Sequence, residues 1–559
     1  MSSPESAGQP TLTSRTEDVF PTLTPEQVAR IAIHGRARSV GAGEVLLEAG
    51  EQASSFYVVT AGQLDVVQAT AGTERVVASF RAGQFTGETT MLSGARGLGT
   101  IRAVEPTEVI EVDRPDILGL IQTDDQLSEI LMRAFILRRV ELIAKGYGDV
   151  ILAGSTFCQD TLRVKEFLTR NGHPYTFVDL DHDSGVQDLL DGFAIGPEDV
   201  PVVICRGTMV LRNPTNAQIA DCLGLNAAID QARVRDILII GAGPSGLAAA
   251  VYGASEGLDV LLLESESPGG QAGASSRIEN YLGFPTGISG QELAGRALIQ
   301  AEKFGAELMI ARAAKRLWCT KKPYGIEIDG GPRVPARTVV IATGARYRKL
   351  EVADLDRFEG TGVYYGATPM ESQLCRGEEV VIVGGGNSAG QAAVFLAKTA
   401  RRVHILVRAD GLSQSMSRYL IRRIEESPVI ELRPQTEIVA LEGGNHLERV
   451  RWRDTVTGNV TAHDIRHVFS MTGAVPNTSW LDGCVSLDEN GFIKTGPDLS
   501  KEDLAAAHWP LARAPHLLET SQPGVFAVGD VRRGNVKRVA SAVGEGSIAI
   551  TFVHEVLHE

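Results

Sequence analysis

Short alternating runs of apolar and polar residues, with glycines between them, fill the N-terminal part of the chain. The runs are Glu44–Glu48, Ser55–Thr60, Gln63–Gln68, Val76–Phe80 and Glu108–Val112. Alternation with a period of two is typical of strands with one buried face. Helical periodicity precedes them at Pro25–His34 and follows them at Gln126–Ile143. Over residues 21–145 the pattern therefore predicts an antiparallel β-roll with flanking helices.

A different alternation begins at residue 149. Short apolar strand patterns at Asp149–Ala153, Tyr175–Asp179 and Val200–Cys205 are separated by helical patterns at Leu162–Arg170 and Val186–Phe193. Strands that alternate with helices indicate α/β architecture. Residues 149–225 are therefore predicted to form a small α/β domain.

Two longer strand–turn–helix units, both rich in glycine, lie at Ile237–Tyr252 and Val380–Ala397. In each, an unbroken apolar run predicts a buried parallel strand, and an Ala-rich segment predicts the helix after it. Two such units predict two Rossmann-type domains. The expected fold is multidomain, with a β-roll, a small α/β domain and two nucleotide-binding domains in chain order.

The composition excludes several classes of protein. Apolar residues make up 43% and charged residues 22%, as in ordinary globular chains, and six cysteines are too few for a small disulfide scaffold. Lys and Arg number 54 against 69 Asp and Glu, and the net charge of −15 disfavours binding to nucleic acid or to an anionic membrane. No apolar run is long enough for a transmembrane helix, and no cluster has metal-ligand spacing, so no metal is expected.

The first residues are rich in Ser, Thr and Pro, and they lack the basic start and apolar stretch of a signal peptide. We expect residues 1–20 to form a disordered tail, with a short docking segment as the alternative. The protein is expected to be cytoplasmic.

The first glycine-rich turn has every part of a dinucleotide-binding fingerprint. Gly241, Gly243 and Gly246 follow the buried strand, with Pro244–Ser245 at the start of the helix. The first glycine permits the tight turn, the second lets the backbone approach a pyrophosphate, and the third lets the helix pack on the strand. The next strand ends at Glu264, whose carboxylate can accept hydrogen bonds from a ribose. These residues predict a dinucleotide site.

The second turn has the same spacing of small residues, with Gly384, Gly386 and Ala389, and its helix begins at Asn387–Ser388. Its second strand ends in Arg408 instead of an acidic residue. A cation there suits the 2′-phosphate of NADPH. NADPH is therefore the expected nucleotide, and the alternative is that Arg408 is only an exposed surface residue.

Further motifs follow in the same half of the chain: Gly269–Gln271, Ile278–Asn280 with Gly283–Pro285, Ala342–Ala345, Gly524–Asp530 and Arg538–Ala540. With these motifs, the chain from Asp236 to the C-terminus resembles low-molecular-weight thioredoxin reductase, a two-domain flavoprotein that uses FAD and NADPH. The resemblance implies an FAD domain of residues 235–349 and 479–559. It also implies an NADPH domain at 350–478, inserted between the two parts of the FAD domain, and a homodimer.

The resemblance also assigns cofactor contacts. It implies that Gln271 and Asn280 lie near the flavin ring, and that Asp530 binds the ribityl or phosphate region of FAD. Arg538 and Val539 would cap the pyrimidine end of the ring. The other residues that it adds to the cofactor site are Gly270, Thr343, Gly344, Gly529 and Ala540.

The chain departs from this family at the redox centre. The family carries a Cys-x-x-Cys just before its second glycine turn, because disulfide exchange needs an attacking and a resolving thiol. The corresponding residues 364–371 contain no cysteine, and Cys375 beyond them is expected to be buried as a small apolar side chain. Ala409 also replaces one phosphate-binding arginine. Reduction of thioredoxin at the family's usual site is therefore not expected.

Cys158 lies between the first strand and the first helix of the small α/β domain, and Val200–Pro201 precedes a later strand. These features resemble glutaredoxin, in which the first Cys of the motif is the nucleophile and a cis-proline faces it. The positive end of a helix favours a reactive thiolate. Thr161 replaces the resolving Cys, so the site would be monothiol. Either Cys158 is redox-active or the domain serves only for docking.

Two further cysteines of this domain, Cys205 and Cys222, are expected to be structural.

In the roll, Phe85–Leu92 with Arg96 and Thr100–Ala103 resembles the phosphate cassette of cyclic-nucleotide-binding domains. The resemblance points to Gly87, Glu88 and Arg96 as ligand residues, with Glu on the ribose and Arg on the cyclic phosphate. Arg96 lies one residue early, so the roll either binds a cyclic nucleotide or serves regulation or docking without one.

Two functions follow from these patterns. The first is an FAD-containing, NADPH-dependent oxidoreductase whose acceptor is a protein disulfide or another group, with Cys158 as a possible internal relay. The alternative is a ligand- or redox-sensing regulatory flavoprotein with little disulfide reductase activity, which the missing Cys-x-x-Cys favours.

Overall fold

A computed structural model gives the structure of the chain. It describes residues 16–52, 54–70, 73–87, 90–93, 96–97, 99–144, 150–181, 199–205, 209–226, 228–275, 277–329, 331, 333–367, 369–481 and 483–559. Most of the expected N-terminal tail, Glu88 of the cassette and the helix expected at Val186–Phe193 lie outside the described residues.

Residues 16–144 form the roll. Its helices are α1 (Thr16–Val19), α2 (Pro25–Ala32), α3 (Thr90–Ser93), α4 (Arg114–Thr123) and α5 (Asp125–Ala144). Its strands are β1 (Arg36–Val40), β2 (Val45–Leu47), β3 (Ser55–Ala61), β4 (Gln63–Thr70), β5 (Thr73–Arg81), β6 (Thr100–Ala103) and β7 (Thr107–Asp113). They pair into two antiparallel sheets, in the orders β1-β7-β3 and β2-β6-β4-β5, as the alternating pattern predicts.

The start of the roll differs from the expected tail, because α1 lies inside residues 1–20. Val19 is buried and its carbonyl accepts a hydrogen bond from Arg138 Nε at 2.9 Å. The neighbouring Phe20 packs on Phe80, with ring centroids 5.8 Å apart. These tertiary contacts order a segment that lacks any periodic pattern of its own.

Residues 150–225 form the middle unit. It contains β8 (Val150–Gly154), α6 (Gln159–Arg170), β9 (Thr176–Asp179), β10 (Val202–Cys205), β11 (Met209–Arg212) and α7 (Asn216–Leu223). The sheet order is β11-β10-β8-β9, with β8 and β9 parallel and the other pairs antiparallel. The Val200–Pro201 peptide bond is cis, as the resemblance implies. A disulfide joins Cys205 of β10 to Cys222 of α7, which gives both the structural role expected.

The first Rossmann unit begins after residue 227. Its first part contains β12 (Arg235–Ile240), α8 (Pro244–Ser255), β13 (Val260–Leu263), α9 (Gly270–Gly273), α10 (Gly290–Lys303), β14 (Glu307–Met309), β15 (Ala314–Trp318), β16 (Tyr324–Ile328), β17 (Arg333–Ile341) and β18 (Ala345–Tyr347). Strands β14, β13, β12 and β17 run parallel, and β16 and β15 extend the sheet in antiparallel fashion. The buried runs of these parallel strands, Ile237–Ile240, Val260–Leu263 and Val339–Ile341, are apolar because both faces of the sheet are covered there.

The second Rossmann unit follows at residues 350–478. It contains α11 (Leu355–Phe358), β19 (Val363–Tyr364), α12 (Pro369–Leu374), β20 (Glu379–Val383), α13 (Asn387–Leu396), β21 (Arg402–Leu406), α14 (Arg418–Glu425), β22 (Ile430–Arg433), β23 (Thr436–Gly443), β24 (Leu447–Asp454), β25 (Val460–His463), β26 (His467–Ser470) and β27 (Ala474–Pro476). A parallel sheet of order β19-β26-β20-β21-β22 carries an antiparallel layer, β23-β24-β25.

The chain then returns to the first Rossmann unit with α15 (Lys501–Ala506), β28 (Val525–Ala527) and α16 (Val539–His558). Strand β28 pairs in parallel with β17 and completes the first sheet. A disulfide joins Cys319, which follows β15, to Cys484 in the returning segment. The antiparallel ribbon of β18 and β27 links the two Rossmann units.

The first Rossmann unit is also the platform on which the other parts dock. The roll reaches Lys303 of α10, whose Nζ lies 3.0 Å from Ser128 Oγ. The middle unit reaches the start of the same helix, where Gln291 donates to the carbonyl of Thr169 at 2.7 Å. Within the described ranges, no helix is long and apolar enough to cross a membrane.

Candidate functional site

The turn between β12 and α8 contains two glycines, Gly241 and Gly246, that tolerate no side chain, and a third, Gly243, that faces open space. Gly241 has a φ of +103°, and a Cβ at Gly246 would lie 1.8 Å from the carbonyl oxygen of Gly241. A Cβ at Gly243 would meet nothing within 4 Å, so this glycine faces open space. Gly243 is also the N-cap of α8 and gives no side-chain cap. The first N–H groups of α8 are thus available to an anion in front of the turn.

Glu264 follows β13 and closes the ribose side of this turn. Its carboxylate accepts the N–H of Ala242 at 2.7 Å and that of Glu266 at 2.9 Å. The side chain is buried, and the loss of solvation raises the pKa of this carboxyl above its usual value. The structure therefore places Glu264 beside the glycine turn, where sequence reasoning expects a ribose partner.

Loops from elsewhere in the first Rossmann unit meet at the same turn. A Cβ at Gly270 would lie 3.2 Å from Gly243 Cα, and one at Gly529 would lie 2.5 Å from Ser245 Oγ. Gln271 donates from its side chain to the carbonyl of Ala345. Close packing thus holds residues 269–271 and 529–530 against the first fingerprint.

The remaining residues implied by the resemblance lie near this turn or at the mouth of the cavity in front of it. Asp530 is largely buried, which raises the pKa of its carboxyl. Thr343 and Gly344 are held by Asn477, which donates from Nδ2 to the Thr343 carbonyl at 2.8 Å and from its backbone N–H to the Gly344 carbonyl at 3.1 Å. Helix α16 begins at Val539, with Arg538 as an exposed N-cap and no side-chain cap. The residues that complete this set, Asn280 and Ala540, are both exposed.

The second fingerprint is built in the same way. Gly384 has a φ of +137°, and a Cβ there would lie 2.2 Å from the Met471 carbonyl oxygen, whereas Gly386 is open. Helix α13 starts at Asn387–Ser388, and the buried Ala389 packs it on the sheet. Arg408 is exposed just beyond β21 and has an uncharged neighbour in Ala409.

One cavity of about 2440 Å³ joins the two fingerprints. Gly243, Glu264, Gly386 and Arg408 all line it. Single-ligand pockets are typically about 300–1,000 Å³, so the cavity has room for more than one large ligand. Two open glycine turns, a buried acidic partner on one and a free cation on the other fit one dinucleotide without a 2′-phosphate and one with it.

The family model of pyridine nucleotide-disulphide oxidoreductases matches residues 235–546, more than half of the chain. The chain belongs to this family. Thioredoxin reductase of Ureaplasma parvum is 32% identical over 325 residues, which cover 58% of this chain and 96% of that protein. Thioredoxin reductase of Bacillus subtilis is 32% identical over 331 residues, which cover 59% of this chain and 97% of that protein.

Solved structures agree with the sequence relatives. The crystal structure of Lactococcus lactis thioredoxin reductase, in its FR conformation, matches with a TM-score of 0.52 at 28% identity and covers 58% of this chain and all of that one. The protein is thus a thioredoxin reductase-like, FAD-dependent oxidoreductase, and proteins of this family use FAD and NADPH.

The two N-terminal parts also match known domains. The cyclic nucleotide-binding domain model matches residues 37–124, within the roll, and the glutaredoxin model matches residues 150–210, within the middle unit. The family resemblances of all three parts are therefore confirmed. A pyridine nucleotide-disulphide oxidoreductase here carries two further domains on its N-terminal side.

Cys158 is the N-cap of α6 and is partly exposed. Helix α6 runs along the wall of the oxidoreductase cavity, and its lining residues are Gln159, Asp160, Leu162, Arg163, Glu166 and Arg170. Thr161, which replaces the resolving Cys, is fully buried beneath Gly154, where an added Cβ would lie 2.4 Å from its Oγ1. At the start of α6, Gln159 packs against the second Rossmann unit, since a Cβ at Gly360 would lie 3.4 Å from Gln159 Cγ.

Residues 364–366, from the start of the segment in which a dithiol was expected and is absent from the sequence, also line this cavity. Tyr364, Tyr365 and Gly366 line it, and a Cβ at Gly366 would lie 3.9 Å from Ala274 Cβ. Ala274 ends the segment 269–274, which is called the flavin-side loop below because the resemblance implies that Gln271 lies near the flavin ring. Cys375 is fully buried, as expected, and burial raises the pKa of its thiol to about 11. Of the two free thiols, Cys375 is therefore buried and Cys158 is partly exposed.

In the roll, the cassette residues lie at contacts with other elements. The Gly87 carbonyl accepts a hydrogen bond from Arg138 of α5 at 2.8 Å. Arg96 is exposed and packs against the end of α7 in the middle unit, where a Cβ at Gly224 would lie 2.3 Å from Arg96 Nε. The predicted phosphate ligand is thus also a contact between the roll and the middle unit.

Sequence reasoning misses residues that reach the site from distant segments. Asn477 belongs to the returning end of the second Rossmann unit, and Arg170 belongs to the middle unit. Neither has a spacing that marks it as functional. A conspicuous side chain at the end of a predicted helix is a weak signal, because most arginines there only face solvent.

Proposed function

We propose that this protein is an NADPH-dependent, FAD-containing oxidoreductase that reduces a disulfide formed at Cys158 of its own middle unit. The observation that carries this proposal is the course of α6 along the cavity that also holds both glycine turns. Its first residue, Gln159, packs on Gly360 of the second Rossmann unit. Cys158 directly precedes it in the chain, one residue before the first residue of α6 that lines the cavity.

The overall reaction balances with a single protein thiol. Bound FAD supplies two-electron chemistry between a nicotinamide and a disulfide. The net change is Cys158–S–S–R + NADPH + H⁺ → Cys158–SH + R–SH + NADP⁺, in which the S–S bond breaks and each sulfur gains a proton. The two electrons come from the hydride of NADPH, and R is a thiol compound or a protein thiol.

The local structure suits Cys158 to this role. Cys158 is the N-cap of α6, and this helix has no side-chain cap hydrogen bond. Asp181 holds the loop before the cysteine, with its carboxylate 2.9 Å from Ser155 Oγ and 3.1 Å from the Thr156 N–H. Because Thr161 is a buried hydroxyl, the second thiol of the exchange has to come from the substrate.

Stopped-flow reduction by NADPH, followed by turnover with hydroxyethyl disulfide, tests this proposal. We expect Cys158→Ser to keep rapid flavin reduction but to lose disulfide turnover by about 100-fold or more, since the nucleophile is gone. Cys375→Ser is the matched control and is expected to keep both reactions. Disulfide turnover that survives in Cys158→Ser would remove this cysteine from the mechanism.

A regulatory flavoprotein is the second candidate function. The placement of Arg96 against Gly224 favours it, because a ligand phosphate at Arg96 would compete with this contact between the roll and the middle unit. Calorimetry with cyclic AMP and cyclic GMP tests this function. Heat of binding to either nucleotide, reduced by Arg96→Gln, supports it, and no heat for both excludes gating by these two nucleotides.

The extents of the domains are part of the proposal. They are a roll at 21–145, a glutaredoxin-like domain at 149–225, an FAD domain at 235–349 and 479–559, and an NADPH domain at 350–478. The β18–β27 ribbon, where the chain passes between the Rossmann units, supports the last two boundaries. A cytoplasmic homodimer is also proposed, and light scattering after gel filtration measures its mass.

A further inference from the structure

The middle unit touches the flavin-side loop through Arg170, the last residue of α6. Its Nη2 donates to the carbonyl oxygen of Gly270 at 2.9 Å. Only 17% of the side chain is exposed, and its Nη1 lies 3.3 Å from Glu166 of the same helix. Glu266 of the first Rossmann unit is 4.0 Å away. A largely buried cation from one domain thus reaches a nucleotide-binding loop of another.

The residues beside Arg170 are the ones that frame the first dinucleotide turn. Gly270 has a φ of +53°, and a Cβ there would lie 3.2 Å from Gly243 Cα. Gly243 is the open glycine at which a pyrophosphate approaches the backbone. Glu266 lies two residues beyond Glu264, the expected ribose partner. Arg170 therefore stands between the phosphate side and the ribose side of the turn.

The guanidinium has donor capacity left for a ligand. Among the described residues, Nε of Arg170 is buried and has no hydrogen-bond partner. Buried donors are nearly always paired in folded proteins. This Nε is not in contact with the open space, but the residue lines the cavity, so the positive charge of the guanidinium lies beside the space that a bound dinucleotide fills.

We infer that Arg170 is an FAD-binding residue, supplied to the first Rossmann unit by the middle unit. Its positive charge meets the negative pyrophosphate at a site of low solvent exposure, where charge-assisted hydrogen bonds are strong. Because the same guanidinium holds Gly270, binding of FAD and docking of the middle unit strengthen each other, as linkage requires. Arg170 thereby fixes the far end of the helix that begins at Cys158.

The affinity for FAD is measured on the apoprotein by quenching of flavin fluorescence, without any turnover. We expect Arg170→Gln to raise the Kd for FAD about tenfold, which is 1.4 kcal/mol. The variant should also weaken the dependence of this Kd on salt, because one charge contact with the phosphates is lost. Arg170→Lys keeps the charge, so its Kd for FAD and the salt dependence of that Kd should lie between those of Arg170→Gln and those of the wild type.

Arg163→Gln is the matched control. Arg163 lies on the same helix and lines the same cavity, but its guanidinium is bound by Asp160, Asn216 and the Pro214 carbonyl of its own domain. We expect this variant to bind FAD as the wild type does. ADP serves as a second probe, and its binding should weaken in Arg170→Gln in the same proportion, because Arg170 faces the adenosine and pyrophosphate half.

Limited proteolysis between residues 226 and 235 tests the coupling. FAD is expected to slow cleavage there in the wild type and to have less effect in Arg170→Gln. A Kd for FAD within twofold of the wild type, or an unchanged salt dependence, would overturn the inference. Neither readout involves the electron acceptor, so these results are independent of the proposed reaction at Cys158.

Discussion

The disulfide between Cys319 and Cys484 offers the sharpest test of the architecture. It closes a loop with a sequence separation of 165 residues, which contains the whole second Rossmann unit. A cross-link restricts the unfolded chain, and the restriction grows with the logarithm of the loop length. The loop-entropy relation gives a stabilisation of about 5 kcal/mol for this loop. Replacing both cysteines by serine should remove it.

The second disulfide provides an internal scale. Cys205 and Cys222 close a loop with a separation of only 17 residues, for which the same relation gives about 3 kcal/mol. The expected difference of about 2 kcal/mol depends only on the ratio of the two loop lengths. At 2–4 °C per kcal/mol, the loss of the Cys319–Cys484 disulfide should lower the melting temperature of the first Rossmann unit by about 10–20 °C.

Differential scanning calorimetry of the double variants Cys319→Ser/Cys484→Ser and Cys205→Ser/Cys222→Ser, both saturated with FAD, measures these shifts. Thiol titration in urea is the companion assay. Without reductant it should find two free thiols in the wild type, those of Cys158 and Cys375. Six free thiols before reduction, or equal shifts in the two variants, would refute the reasoning.

Three further predictions concern the cofactor sites and pH. Gly246→Ala places a Cβ 1.8 Å from the Gly241 carbonyl oxygen, so the protein should purify without FAD and show no flavin absorbance. Arg408→Gln should raise the KM for NADPH about tenfold while the KM for NADH stays unchanged, since only NADPH has a 2′-phosphate to pair; equal changes would show that Arg408 is only a surface residue. Hydrogen bonds from Arg235 lower the pKa of Glu307, so this pair stabilises the fold above the unfolded pKa of Glu and is lost as pH falls through the lower folded value. Glu307→Gln should therefore reduce stability at pH 7, and this effect should disappear as the pH falls below the lowered folded pKa, as measured by urea unfolding.

Local sequence patterns determine much of this protein. The apolar runs at β12 and β20 predict buried parallel strands, and Gly241, Gly246 and Gly384 after them are required because a Cβ there would collide with backbone. The lack of cysteine in residues 364–371 and the single Cys158 before a predicted helix are also visible in the sequence. The same holds for the cis bond before Pro201, which the glutaredoxin resemblance implies.

Other features depend on contacts between segments far apart in the chain. Helix α1 is ordered by Arg138, which lies 119 residues away from Val19 in the chain, and no local pattern predicts this helix. Helix α4 is also missing from the sequence prediction, although Ile117, Leu120 and Ile121 bury one of its faces. In the same way, the sequence identifies six cysteines but not their pairing, since a disulfide needs two chain segments brought close in space.

The sequence by itself determined the local signatures of the chain: two glycine-rich dinucleotide turns, a cysteine at the start of a helix and a cassette-like roll. These are local properties, because a turn, a cap or a strand is set by neighbouring residues. The tertiary structure alone decided that α6 lines the cavity that joins the two glycine turns. It also decided that Arg170 donates a hydrogen bond to the carbonyl of Gly270, 100 residues along the chain. Docking of one domain on another follows from shape and charge across whole surfaces, which no short segment encodes.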